Sequence, residues 1–178
     1  MSMWSRALKR QTAESEPVDW DAVYAEQLPR VYNFFRYRFG DSALAEDLTA
    51  ATFEKAWVAR ERYRSDLGAF STWLFTIAQR VGIDHLRARR DEAPLEAAHG
   101  HAAPGSPEEE AQRRSDMARL GELLAGLAER ERELVAMKYG ASLNNRMIAQ
   151  LTGLSESNVG SILHRVTKRL RAAWDEEK

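Results

Sequence analysis

The stretch FSTWLFTIAQRVGIDHLRARR, Phe70 to Arg90, crowds aromatic and large apolar side chains at one end and arginines at the other. Rings offer faces on which unstacked nucleobases can sit, and guanidinium groups pair with phosphate oxygens. Just upstream, RERYRSDLG sets Tyr63 between Arg62 and Arg64. From Arg60 to Arg90 seven arginines face only Glu61, Asp66 and Asp84, which makes a basic stripe in a chain of net charge -1. The local field, not the total, bears on binding. Tyr63 and the loop arginines are the stronger candidates for base contact, because Phe70 and Trp73 also fall on or beside an apolar stripe that reads as core.

A second constellation lies near the C-terminus. NRMIAQLTGLSESNVGSILHRV has the internal logic of a helix-turn-helix: Ala149 is small where two helices approach, Gly153 sits at the turn, and Leu154, Val159 and Ile162 supply a shared core. Ser155 is placed to cap the second helix. Val159, Ile162, Leu163, Val166 and Leu170 form its inward stripe. Ser157, Asn158, Ser161, His164, Arg165 and Lys168 are left facing outward. Such a face hydrogen-bonds base edges near its start and phosphates farther along. Thr152 stands where a larger apolar residue is expected.

The elements that carry these residues are helical throughout. Apolar spacing predicts a helix from Asp19 to Phe39, with Pro29 as a local kink, Gly40 as its stop and Asp41 or Ser42 as the next cap. A second helix runs from about Ala43 to Arg62, with Phe53 and Trp57 read as core, and a third from Phe70 to about Arg90. Pro94 and then HGHAAPGSP form a joint without periodicity. SPEEE restarts order, with Ser106 as cap and Pro107 at the first helical position. Leu120, Leu123, Leu124 and Leu127 are the buried side of that helix. Further helices fit Glu129 to Tyr139, Asn145 to Thr152 and Glu156 to about Trp174. The fold class is all-α: two small helical bundles joined by a flexible linker, the C-terminal one containing the helix-turn-helix. Residues 1–18 read as a flexible leader, 19–90 as the first domain, 91–106 as an acidic linker and 107–178 as the second domain.

Several classes drop out. There is no cysteine, hence no disulfide and no cysteine-ligated zinc. Neither a signal peptide nor a membrane span is visible, so a cytoplasmic protein without membrane insertion is expected. His99 and His101 lack a third ligand, so no metal is expected. His85 and His164 lie in basic stretches and read as DNA-facing or surface residues. No phosphate-cradling glycine loop and no Ser/His/Asp set is present, so neither a cofactor nor catalysis is expected.

Taken in order, LAEDLTAATFEKAW (44–57), FSTWLFTIAQRVGIDHLRARR (70–90), LAERERELVAMKYG (127–140) and the helix-turn-helix through HRVTKRLR (164–171) resemble the extracytoplasmic-function (ECF) sigma factors of the sigma-70 family. The resemblance implies that the first domain corresponds to sigma region 2, which docks on the clamp of core RNA polymerase and opens the minus-ten promoter element. It implies that the second corresponds to region 4, which rests on the polymerase flap and reads the minus-thirty-five element. Promoter DNA, double- and single-stranded, and an anti-sigma factor are the other implied partners. Arg62, Tyr63, Arg64, Phe70, Trp73, Arg80, Asp84, Arg87, Arg89 and Arg90 then fall on the minus-ten side. Ser155, Ser157, Asn158, Ser161, His164, Arg165 and Lys168 fall on the minus-thirty-five side, and Glu46, Asp47 and Leu48 face the clamp. Ala50 and Ala51 stand where many members carry a Gln-Glu pair, and Arg80 where the family often has asparagine. A different class, a stand-alone helix-turn-helix regulator that binds duplex DNA without polymerase, also fits the second domain.

Overall fold

The structure, a computed structural model, describes residues 19–91 and 107–176. The leader, residues 92–106, both linker histidines and the Ser106 cap lie outside the described residues. Helix α1 spans Trp20–Phe39. The Asp19 carboxylate opens it, accepting from the Asp21 and Ala22 N–H groups at 3.2 and 3.1 Å. Pro29 sits inside the helix without ending it. Gly40, at φ 78°, ends it in the left-handed region that a side chain resists.

Asp41 then caps α2, Ser42–Val58, through the Leu44 N–H at 3.1 Å. This helix stops short of the expected Arg62, and Arg60–Arg62 forms a separate 3-10 turn. The Arg60 side chain folds back, donating from Nη1 to the Trp57 carbonyl at 2.9 Å while its guanidinium lies 4.4 Å from the Trp57 ring centroid. It thereby satisfies a carbonyl that a continuing helix would have used. Helix α3 runs from Phe70 to Asp91, one residue into the expected linker. Val31, Phe34, Phe35, Ala45, Ala56, Leu74, Phe75 and Ala78 are fully buried among α1, α2 and α3. Thr49 and Thr52 are buried with them because their hydroxyls donate to the Ala45 and Leu48 carbonyls.

The second bundle comprises α4 (Pro107–Ala125), α5 (Glu129–Val135), α6 (Asn145–Thr152) and α7 (Glu156–Glu176). Leu124 and Leu127 are buried, whereas Leu120 and Leu123 are only partly so. The segment after α5 does not continue as a plain helix to Tyr139: Ala136–Gly140 widens into one π-helical turn, in which the Ala141 N–H reaches the Ala136 carbonyl at 2.9 Å. Arg119 of α4 donates to the Trp174 carbonyl and stacks 4.5 Å from that ring, tying α4 to α7.

The two bundles pack directly against one another, which periodicity alone did not anticipate. One apolar cluster runs through Phe34, Phe35 and Phe75 into Leu134, Met137, Leu143, Ile148 and Val159. Helix α1 meets the π-helical turn, α5 and α4, and α3 meets α6.

Candidate nucleic-acid interface

Along α3, Phe70, Trp73, Ile77, Arg80, Asp84 and Arg87 recur at alternating three- and four-residue steps and so share one face. Its first turn is ring-lined and partly buried; Arg80, Asp84 and Arg87 farther along are exposed, as is Arg89. Arg90 lies near the end of the same helix. The rings interlock. Tyr63 lies 5.2 Å from Phe70 and 5.4 Å from Trp73, which are themselves 5.2 Å apart. The Tyr63 hydroxyl donates to the Gly68 carbonyl at 3.2 Å, pinning the loop to the ring. Arg64 makes a bidentate pair with Asp66, both bonds at 2.8 Å, and Arg62 beside it is exposed.

Two members of this cluster were not among the candidates. Trp20, from the first turn of α1, makes T-shaped contacts with Trp57 at 5.4 Å, Phe70 at 5.6 Å and Trp73 at 6.5 Å. Trp57 is a correction: its spacing to Phe53 reads as a core pair, yet it is 51 % exposed. Phe53 instead meets Tyr24 at 4.7 Å. Nothing in the local sequence of Trp20 marks it, since its partners come from α2 and α3.

On α2, Glu46 and Asp47 are exposed, whereas Leu48 is 8 % exposed and packs into the core. Its side chain therefore cannot face a partner, because the period that brings Glu46 and Asp47 out turns the next residue in. His85 is a second correction. It is half-buried, edge-on to Phe39 at 5.4 Å, with Nε2 enclosed and lacking a hydrogen bond. Burial, with Arg89 nearby, lowers its pKa and favours the neutral ring.

In the second bundle the helix-turn-helix geometry follows its sequence closely. Asn144 caps α6 through the Met147 N–H at 2.9 Å, and Gly153 takes φ 72° at the turn. Thr152 fits its position by donating to the Ile148 carbonyl at 2.7 Å and accepting from the Leu154 N–H at 3.4 Å, contacts that a larger apolar residue could not make. Ser155 accepts from the Asn158 N–H at 3.2 Å and caps α7. Val159, Leu163 and Val166 are buried, with Ile162 and Leu170 partly so. Ser157, Asn158, Ser161, His164, Arg165 and Lys168 are all exposed on the other face. Beside them, Arg165, Lys168, Arg169, Ala172 and Glu131 line a shallow cleft. Glu131 holds Arg169 by two bonds of 2.8 and 3.1 Å, and that guanidinium keeps its carboxyl below the ordinary range.

Among the described residues no cluster of three metal-ligating side chains occurs, and no helix is long and apolar enough to cross a membrane.

The Sigma-70 region 2 family model matches residues 23–92, and the Sigma-70 region 4 model matches residues 117–170. The chain is 29 % identical over 160 residues to the ECF RNA polymerase sigma factor SigM of Bacillus subtilis, covering 87 % of this chain and 94 % of the relative. It is 26 % identical to the ECF RNA polymerase sigma factor RpoE of Cereibacter sphaeroides, covering 90 % and 97 %. The sigma factor RpoE of Bartonella quintana, solved in complex with the anti-sigma factor NepR, shares the fold at a TM-score of 0.71 with 21 % identity over 90 % of this chain and 99 % of that one. CnrH, solved with the cytosolic domain of CnrY, shares it at 0.59 with 21 % identity over 88 % and 86 %.

Proposed function

From a chain that belongs to the sigma-70 family, in its ECF branch, we propose a protein that binds core RNA polymerase and directs it to promoters to begin transcription. The observation that carries this reading is the occurrence, in order on one chain, of both family regions, one bearing a face of rings and arginines and the other an exposed helix face of short polar and basic side chains. A lone duplex-binding regulator would need only the helix-turn-helix, and would leave the first bundle's rings and arginines without a task. That alternative is not favoured.

In this reading residues 19–90 serve as the clamp- and minus-ten-binding domain, residues 91–106 as the tether and residues 107–178 as the flap- and minus-thirty-five-binding domain. The Tyr63, Phe70 and Trp73 rings, held by Trp20, receive unstacked bases; stacking on aromatic side chains is worth about 1–3 kcal/mol per base. Arg62, Arg64, Arg80, Arg87, Arg89 and Arg90 hold the adjoining phosphates, and Asp84 orients the arginines beside it. Helix α7 enters the major groove, with Ser155, Ser157, Asn158 and Ser161 near base edges and His164, Arg165 and Lys168 towards phosphate. Glu46 and Asp47 meet a basic surface of the clamp, where charge sets register and encounter rate. The family acts as a regulatory subunit, and the protein works in the cytoplasm without chemistry of its own. An anti-sigma protein is a further partner, by likeness to the relatives solved in such complexes.

The test is retention of core RNA polymerase on the immobilised chain, followed by run-off transcription from candidate promoters. Specific transcripts should require both, and Asp47→Arg should weaken retention several-fold. Tight duplex binding by the free chain, with no effect of polymerase, would sink the reading.

A further inference from the structure

The ring cluster of the first bundle does not end at the three rings that the sequence singles out. Trp57, in the last turn of α2, is its most exposed member: half of its surface is in water, yet it touches Trp20 at 5.4 Å, and Trp20 in turn touches Phe70 and Trp73. Tryptophan is highly buried on average, because its large apolar ring is costly to leave in water. Two contacts nevertheless fix this one. Trp20 braces it from α1, and the Arg60 guanidinium lies over its ring, 4.4 Å from the centroid.

Arg60 is held as firmly as the ring it covers. Its Nη1 donates to the Trp57 carbonyl at 2.9 Å. Its Nη2 lies 3.8 Å from the carboxylate of Glu61, an exposed side chain, so that pair is loose and screened by water. The guanidinium, with five N–H donors, therefore keeps donors for an acceptor from outside. Arg62 and Arg64 follow, both exposed, before the loop closes back on Tyr63 and Phe70.

We propose that Trp57 and Arg60 form a further seat for the melted strand, on which one more unstacked base lies against the uncovered part of the indole while Arg60 takes an adjoining phosphate. This rests on the functional reading above and extends it past the Tyr63, Phe70 and Trp73 rings. A nucleotide fits the seat on three counts. A planar base covers the apolar surface that Trp57 exposes, whatever its identity. A phosphate neutralises a cation already fixed beside that ring, so little side-chain freedom is lost on binding. The seat also continues an unbroken path of rings, through Trp20, to those that receive the other bases.

The test uses the chain assembled with core RNA polymerase and, as probe, a promoter that it transcribes, pre-melted over the minus-ten element, with one base of the melted strand at a time replaced by an abasic site. Trp57→Ala should weaken binding of the intact probe by about ten-fold, and removal of one particular base should abolish that difference, because ring and base are then missing together. That base should not be the one that couples to Tyr63→Ala. Trp57→Phe, which keeps a ring, should recover most of the affinity. Arg60→Gln should lower the slope of log affinity against log salt by about 0.7, the share of one phosphate on a single strand. Circular dichroism checks folding, and Arg60→Gln, which leaves every ring in place, decides the outcome if Trp57→Ala loses helix. The same loss whichever base is missing, coupling of Trp57 to the base that Tyr63 already serves, an unchanged salt slope in Arg60→Gln, or weaker retention of polymerase by Trp57→Ala in the absence of DNA would each overturn the seat. A chain that binds no pre-melted promoter together with polymerase would overturn the functional reading and the seat with it, whereas one that binds while Trp57 couples to no base would overturn the seat alone.

Discussion

The face proposed for nucleic acid on the first bundle is made of side chains that already have partners: Tyr63, Phe70, Trp73, Trp57 and Trp20 touch one another ring to ring, and Arg64 is paired with Asp66. On α7 of the second bundle the outward residues are simply exposed along a helix whose other side is buried. The difference suits the two targets proposed for them. A melted strand has no fixed shape, so the protein must supply rigid rings that are costly to leave free in water. Duplex DNA presents a fixed groove, so a straight helix with short polar side chains suffices. One face is organised by packing and the other by periodicity.

The largest effect tests whether the faces share one folding unit. Phe34 is fully buried in α1, 5.8 Å from Phe75, and lies beneath Gly140 of the second bundle. Phe34→Ala should cost about 3–5 kcal/mol in denaturant unfolding, because the lost ring leaves a cavity between rigid backbones. The transition should remain single; two separate transitions would break the picture of a common core. A smaller effect separates the faces. With polymerase present, Tyr63→Ala should weaken binding to a pre-melted promoter probe, and Arg165→Ala binding to an upstream duplex probe, each by about 1–3 kcal/mol with little effect on the other probe. Equal losses on both probes would erase the contrast. The smallest change is expected at the exposed Glu131–Arg169 pair, where Arg169→Ala should leave the melting midpoint unmoved within error, because water already screens those charges.

Much of this was legible residue by residue. The Gly40 and Gly153 stops, the Asp41 and Ser155 caps and the inward stripe of α7 all depend on interactions within a few positions along the chain. Where a distant partner decides, the local pattern misleads. Trp57, which reads as core, stays half exposed because Trp20 of α1 covers only part of it. His85, set in a basic run, turns towards Phe39.

From sequence alone came the helical class, the order of the two regions, the helix-turn-helix with the outward side chains of its second helix, and the run from rings to arginines. Each is written in spacing that a helix converts directly into faces. Tertiary structure alone decided the contact between bundles, the burial of Arg38 against Glu133, the π-helical turn that brings Gly140 onto α1, and the entry of Trp20 into the ring cluster. These join residues far apart along the chain, and the energy of such a contact depends on the distance and burial that folding creates, which no local period records.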